Sequence, residues 1–590
     1  MSARRGALAG FGLPLVAALS AALAGGCGGR PRPSVLLVTI DTLRADAVSA
    51  WGRETDTTPR IDALAAAGVR FEAATTVTPL TLPAHAALLT GWRPARVGLT
   101  VNGVGRPELP TATLAQRLAA EGYATAAFVS ATVLDRRFGL AAGFAHYDDE
   151  LAEPGGPPAP LERRAQATVD HALAWSGWGH APFFAWVHLF DPHAPYDAPG
   201  GRTGEDRAAY LDEVRYADRQ LARLLEHVAG AADGPVLVVI AADHGEGLGE
   251  HGEETHGLLL NESTLHVPLV MAWLGEPGGE WPARSATRAD TVSLLDVTPT
   301  LLDVLGLAPV ADADGASVRQ PRPGRALPLE TRAPWFYYGF SSLVGVRSDA
   351  LKVVGAPAAA DPAWTLFDLA ADPGEQAGVV VAEHPLVARV RSPDPEAEGA
   401  AIGDPESLAA LGYVSAAPRA PEGGPCLDPR TQMELIVILD RANTALALGD
   451  AVASLALLDG AGSRWADAPE RLYLRGRALA ALDRLDEADA TLEQAVARRP
   501  SAELLVERGL VLLRRANRGA PTLEAAVECL DRALAIAPDD PRAISLRARA
   551  DLAAGRATDA RRRVEAALAR RPHDAYLLAA RADIEQAAGH

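Results

Sequence analysis

Three segments of this chain share one construction, and it restricts the fold more than anything else in the sequence. SVLLVTI (34–40) runs straight into Asp41, FFAWVHLF (183–190) into Asp191-Pro192-His193, and PVLVVIAA (235–242) into Asp243-His244-Gly245-Glu246. Unbroken β-branched and Leu-rich runs read as strands buried on both faces, the kind found in parallel sheets covered by helices. Ligands of such sheets gather at the strands' carboxyl ends. Three acids therefore converge on one edge. A single Asp after a strand is ordinarily a helix cap, whereas three with adjacent histidines suit a bound cation.

The stretch from Thr78 to Asn102 supplies a nucleophile for that edge. Pro83 fixes the backbone before an Ala- and Leu-rich run, Ala84 to Leu89, which reads as a short buried helix ending at Thr90-Gly91. Thr81 then stands at a helix N-terminus, where free N–H groups and the helix dipole favour negative charge. Taken alone, Thr81 reads equally as an N-cap and His85 as a satisfied core histidine.

At 590 residues the chain is too long for one core and predicts at least two domains. From Ser34 to about Leu307 apolar strands alternate with helical stretches such as 60–67, 113–121, 164–175 and 210–227. This predicts an α/β fold with a mostly parallel sheet sandwiched by helices. WFYYGF (335–340), LVGVRS (343–348), ALKVVG (350–355) and TLFDLA (365–370) predict a small antiparallel sheet beyond it. The formal net charge of −19 argues against a nucleic-acid partner, which would need a concentrated basic face. Residues 1–29 carry Arg4 and Arg5, an apolar segment, then Ala24-Gly25-Gly26-Cys27. That layout predicts an export signal, with lipid attachment at Cys27 or an uncleaved anchor as the two alternatives, placing the body in the cell envelope on the periplasmic side. Cys426 and Cys529 imply no disulfide framework.

A Pro-, Gly- and Ala-rich linker covers 416–434 and reads as a loose tether, after which 435–590 is entirely helical and repetitive. Gly476, Ala488, Leu492, Ala495 and Pro500 recur as Gly509, Ala526, Leu530, Ala533 and Pro538, then as Ala548, Ala560, Val564, Ala567 and Pro572. This spacing resembles the tetratricopeptide repeat, predicting an all-α solenoid that binds a protein or peptide partner, closed by a capping helix at 575–588.

Residues 30–415 resemble the alkaline phosphatase superfamily in its sulfatase-like branch. The phrases that carry the resemblance are DTLRAD, TPRIDALAAAGVRF, ALLTG, DPHAPY, DHGEGLGEHG, LHVPLV, LLDVTPTLLDVLG and LFDLAADPGE. It implies a divalent metal held by Asp41, Thr81, Asp243 and His244, with Asp191 as a further ligand. Sulfatases carry a formylglycine made from Cys or Ser in Cys/Ser-x-Pro-x-Arg; here Thr81-Leu82-Pro83-Ala84-His85 stands instead. A threonine cannot yield that aldehyde. Thr81, Pro83, His85, Thr90, Gly91, Pro94 and Asn102 are similar to nucleotide pyrophosphatase/phosphodiesterases, and phosphoethanolamine transferases likewise use a metal-bound threonine. The resemblance thus implies Thr81 as nucleophile, His193 and His256 as catalytic partners, and Asn102, His85 and Arg44 as substrate contacts. Zinc or manganese fits the mixed Asp and His donors, in one site, with His193 and His256 as the alternative ligands of a second. The implied substrate is a phosphoester or sulfate ester, an envelope lipid or glycan among the candidates, and the lipid anchor would be the link to the membrane. The competing readings are a sulfuric-ester hydrolase with unmodified threonine and a repeat scaffold joined to an inactive enzyme-like domain.

Overall fold

In the computed structural model β1 (Ser34–Ile40) is buried along its whole length at the heart of an eight-stranded sheet. The structure describes residues 32–52, 57–103, 109–151, 162–180, 182–390, 426–572 and 574–587. The export signal with Cys27, the loop 152–160 and the linker up to residue 425 lie outside them.

The strands that follow are β2 (Val69–Thr75), β3 (Ala124–Phe128), β4 (His146–Asp148), β5 (Phe183–Leu189), the short ribbon β6 (Tyr196–Asp197) and β7 (Thr203–Gly204), β8 (Val236–Ala242), β9 (Leu269–Leu274) and β10 (Ala286–Ser293). The sheet order is β10-β2-β9-β8-β1-β5-β3-β4, and only β9 runs antiparallel to its neighbours. Register explains the site: Ile40 lies level with Leu189 on one side and with Ala242 on the other. The residues that follow β1 and β8, Asp41 and Asp243, therefore leave the sheet side by side.

Helices α1 (Pro59–Ala67), α2 (Thr81–Thr90), α3 (Ala165–Leu173) and α4 (Arg207–Ala231) build the cover, α1 and α3 both packing on α4. All ten residues of α2 are buried, as its Ala/Leu composition predicts.

The small sheet forms with one change of membership. WFYYGF, expected as a strand, lies mainly in a helix, α5 (Ala333–Tyr338). Pro334 presets a helical φ in the first turn, and Gly339 stops the helix at a left-handed φ of 68°. Burial of Tyr337 and Tyr338 outweighs the β-preference of the aromatic run. Its place as outer strand goes to β11 (Leu327–Thr331), paired with β12 (Leu343–Ser348), then β13 (Leu351–Gly355), β14 (Trp364–Asp368) and β15 (Val379–Val381).

The repeat region opens with α6 (Met433–Ala447) and continues through helix pairs 469–481/485–498, 502–516/523–536 and 541–553/557–568 to a last helix at 575–587. The recurring small residues face the partner helix. A β-carbon on Gly476 would stand 2.5 Å from Leu492 Cγ, and one on Gly509 2.8 Å from Leu530 Cγ. Gly476→Ala is accordingly expected to destabilise the repeats by about 1–3 kcal/mol despite alanine's higher helix propensity, read as a lower urea midpoint of helical unfolding. An unchanged or raised midpoint would show that the pair has room to spare.

The residues that carry the tether reading, Pro418 to Pro425, lie outside the described ones, whereas residues 426–432, at the end of the linker, are hydrogen-bonded to the small sheet. Cys426 N–H donates to Ala358 O (2.9 Å), Ala360 N–H donates to Cys426 O (3.0 Å), and Ser341 N–H donates to Leu427 O (2.8 Å). Arg430 adds bonds to Ala363 O (2.9 Å) and Thr365 Oγ1 (2.9 Å) on the small sheet. α6 then joins one apolar cluster with α5 and with residues 258–260 of the α/β domain.

Candidate active site

Asp41 and Asp243 end adjacent parallel strands, and both are buried, with Oδ1 and Oδ2 of Asp41 and Oδ2 of Asp243 lacking any hydrogen-bond partner. Asp243 Oδ1 accepts the backbone N–H of His244 (2.9 Å). His244 donates Nδ1–H to Gly245 O (3.0 Å), which leaves Nε2 as the lone-pair nitrogen. That atom lies 3.5 Å from Asp41 Oδ1, 3.5 Å from Asp243 Oδ2 and 3.2 Å from Thr81 Oγ1. Two orphaned buried carboxylates beside an imidazole lone pair are a donor set in need of a cation, because unpaired buried charge is costly. Burial raises the carboxyl pKa of both Asp41 and Asp243. For His244 burial pulls the pKa down, but the facing Asp243 and Asp41 carboxylates outweigh it and the net shift is upward.

Thr81 is the first residue of α2 and is buried. Asn102 sits against it, its Oδ1 accepting Leu82 N–H (2.9 Å) and so occupying one free donor of the helix N-terminus. His193 and His256 close the other side. The His256 ring centre is 4.4 Å from that of His244 and 5.2 Å from that of His193. His256 Nδ1 bonds Glu246 Oε1 (3.2 Å), while Tyr196 donates to Glu246 Oε2 (3.2 Å). Burial lowers the pKa of both His193 and His256, which favours neutral imidazoles.

Three predicted contacts stand elsewhere. Asp191 follows Phe190 one step past the level of the other acids, and its Oδ2 caps α3 by accepting Ala165 N–H (2.6 Å). It belongs to neither group of ligand atoms that converge, and its carboxylate serves the helix end. His85 lies behind the nucleophile with no exposure: Trp186 Nε1–H donates to Thr39 Oγ1 (2.9 Å), the Thr39 hydroxyl to His85 Nε2 (2.9 Å), and His85 Nδ1–H to Thr81 O (2.7 Å). Burial holds its pKa down at about 3, so it is a neutral strut beneath α2. Arg44 is spent on Asp46 (2.8 Å), Glu250 (2.9 Å) and Glu246 O (3.0 Å), which makes it part of the wall.

His188 was not legible as a site residue. It is fully buried in β5, its Nε2 3.4 Å from Asp41 Oδ2, and it forms a second convergent group with His85 and Asp243. A histidine inside a strand buried on both faces is the signal that could have found it.

The sequence matches the sulfatase family over residues 33–307 and the tetratricopeptide repeat over 522–584. Residues 33–307 are a sulfatase-family domain. The chain thus joins a sulfatase-family domain to tetratricopeptide repeats. The sulfatase domain is similar to N-acetylgalactosamine-6-sulfatase of Sus scrofa, 26% identical over 401 residues, covering 57% of this chain and 74% of that protein. A shorter match to arylsulfatase A of Bos taurus is 41% identical over 113 residues, 18% of this chain and 22% of the relative. Among solved structures, the phosphonate monoester hydrolase of Agrobacterium radiobacter aligns with a TM-score of 0.47 at 23% identity, covering 59% of this chain and 91% of that one. A 2-O GAG sulfatase aligns with a TM-score of 0.49 at 20% identity, covering 64% and 96%. Among the described residues no helix is long and apolar enough to cross a membrane.

The segment after β8 carries its own pH dependence. Glu253 is buried, its Oε1 accepting Leu258 N–H (2.7 Å) and Leu259 N–H (3.2 Å). Burial, offset by those two donors and reinforced by the carboxylates of Glu246 and Asp440, pushes its pKa up to about 8. The unfolded chain ionises near 4.5, so between pH 4.5 and 8 the folded state holds the extra proton and stability falls as pH rises. Glu253→Gln keeps an acceptor for both N–H groups and removes the titration. Its unfolding midpoint is expected to decline less than that of the parent protein between pH 5 and 8.5; parallel declines would assign the slope to other groups.

Proposed function

We propose that this protein hydrolyses a phosphoester, or transfers its phosphoryl group, through a covalent phosphothreonine at Thr81. The observation that carries the reading is the placement of Thr81 Oγ1 at the N-terminus of α2, 3.2 Å from His244 Nε2 and beside the orphaned carboxylates of Asp41 and Asp243. An unmodified threonine is a weak nucleophile at its ordinary pKa. A divalent cation held by Asp41, Asp243 and His244, with zinc or manganese suited to these donors, would supply the positive charge that makes its oxygen nucleophilic and balances the phosphoryl oxygens.

The chain's own residues do the rest. Thr81 Oγ1 forms a bond to phosphorus as the ester oxygen departs. The hydroxyl proton goes to the neutral Nε2 of His256, whose Nδ1 is held by Glu246, and from there to the leaving oxygen. His193 stacks on Phe190, with ring centres 4.3 Å apart, and lines the leaving-group side. Asn102 faces the phosphoryl oxygens. Water, or an alcohol in a transfer reaction, then breaks the bond between phosphorus and Thr81 Oγ1, restoring the hydroxyl and releasing phosphate or a new ester.

A second reading is sulfate-ester hydrolysis by the same threonine, favoured by the sulfatase names of the relatives. Assay of nitrophenyl phosphate, bis-nitrophenyl phosphate, a phosphonate monoester and nitrophenyl sulfate, with zinc or manganese and with chelator, separates the two. Phosphate or phosphonate turnover, with a mass increase of one phosphoryl group on the peptide containing Thr81 after acid quench, supports the first. Turnover confined to the sulfate overturns it, and inactivity on the whole panel would favour the scaffold reading. Export to the envelope and acylation at Cys27 belong to the same proposal, with loss of membrane fractionation in Cys27→Ala as its check.

A further inference from the structure

The loop that joins β8 to β9 carries Glu246 and His256, and it holds a backbone that needs outside support. Leu248 and His251 take left-handed φ values of 51° and 56°, which side-chain-bearing residues keep only when their surroundings compel them. The loop is tied in part to itself: Gly247 N–H donates to Thr255 O (2.6 Å), Gly249 N–H to Glu253 O (2.9 Å), and Glu253 clasps Leu258 and Leu259. Within the α/β domain and the small sheet, Arg44 bonds Glu246 O (3.0 Å) and Glu250 (2.9 Å), the Thr331 hydroxyl donates to Gly257 O and Lys352 Nζ donates to Leu260 O (2.9 Å), and two further elements pack against the loop. Gly257 rests on Leu80, the residue before the nucleophile, where an added β-carbon would stand 3.0 Å from Leu80 Cδ2. The other is α6. Met433 Cβ would be 3.4 Å from a β-carbon at Gly252, Arg441 pairs with Glu254, and Asp440 accepts the Tyr338 hydroxyl (2.6 Å). Met433, Ile436 and Leu439 are at most 7% exposed and share one apolar cluster with Leu80 and Leu258–Leu260.

We propose that α6, the first helix of the repeat region, is a structural wall of the active site, and that Met433, Ile436 and Leu439 are positioning residues that hold the loop bearing His256 against the nucleophile. This goes beyond a recruiting role for the repeats, since the chemistry itself then depends on them. It rests on the proposed function only for its kinetic arm.

The test uses the full chain with Met433→Ala, Leu439→Ala and, as a control, Leu530→Ala, which removes a fully buried side chain inside the repeats at Gly509. The α6 variants are expected to raise amide hydrogen exchange in peptides spanning 247–260 at least tenfold. They should also lower kcat on a nitrophenyl ester at least tenfold, with KM within threefold, while Leu530→Ala leaves both within twofold. Ile436→Val, which removes one methylene and keeps the helix, should shift both readouts in the same direction at smaller amplitude, and it decides the matter if the alanine variants do not fold. Unchanged exchange and kcat in the α6 variants, or equal changes in Leu530→Ala, would overturn the proposal. If the parent protein turns over none of the esters, exchange alone decides, and unaltered protection of 247–260 counts against it.

Discussion

Thr81→Ala is expected to lower kcat/KM for a nitrophenyl ester by at least about a hundredfold, a loss of about 2.7 kcal/mol of transition-state stabilisation, while leaving the unfolding midpoint close to that of the parent protein. The hydroxyl is the atom that would bond phosphorus, and its recorded partner is His244 Nε2, so its removal takes away the reaction and one weak polar contact. The carbonyl of residue 81, which accepts from His85, and the buried body of α2 are untouched by the change. Thr81→Ser is the informative companion, since it keeps the oxygen and should retain measurable turnover. An alanine variant holding more than about a hundredth of the activity would remove Thr81 from the role of nucleophile.

Asp243→Asn should separate metal binding from folding. Asp243 Oδ2 has no hydrogen-bond partner, and burial together with the Asp41 charge penalises its ionised form. Neutralising it is expected to raise the metal-free unfolding midpoint by the equivalent of about 1–2 kcal/mol. The parent protein should gain about 2.7 kcal/mol from a divalent cation at one hundred times its dissociation constant, and the variant little of it. Turnover should fall at least about a thousandfold, or about 4 kcal/mol. A variant that still shows the full metal-dependent rise in midpoint would place the cation elsewhere. The metal-free gain is the sharper arm, because a purely structural aspartate would lose stability on replacement.

Much of this arrangement was legible because it is local in sequence. An apolar run followed by an acid specifies both a buried parallel strand and what stands at its end, which is why Asp41, Asp243 and His244 could be placed together. Asp191 fits the same pattern and yet serves α3, since nothing in FFAWVHLFD shows that Phe190 carries the carboxylate one residue beyond the convergence and toward a helix N-terminus. His188 fell outside the reading, and His85, read either as a satisfied core histidine or as a substrate contact, was not decided by it, for a related reason. Their roles depend on which strand faces which helix, through Thr39 and Asp41. The aromatic run of α5 has strand propensity, and only its tertiary burial makes it helical. On α6, Met433, Ile436 and Leu439 are indistinguishable by spacing from side chains that pack within a repeat, so the sequence cannot say that they face the α/β domain.

The shared apolar cluster also sets an order of events in folding. Glu254 and its partner Arg441 are 187 residues apart, a separation comparable to that between the paired strands β1 and β8. Helices of the repeats form from near neighbours, whereas the sheet, which pairs β1 with β8 and β2 with β10 across about 200 residues, and the α6 contact both carry a loop-closure entropy. Docking of α6 needs both the sheet that presents the segment 247–260 and the first repeat helix to be formed, so until it occurs that segment lacks its α6 contacts and Leu258, Leu259 and Leu260 are less covered. Maturation of the site then waits for α6 to dock, and on refolding from urea the return of activity is expected to trail the return of the helical circular dichroism signal.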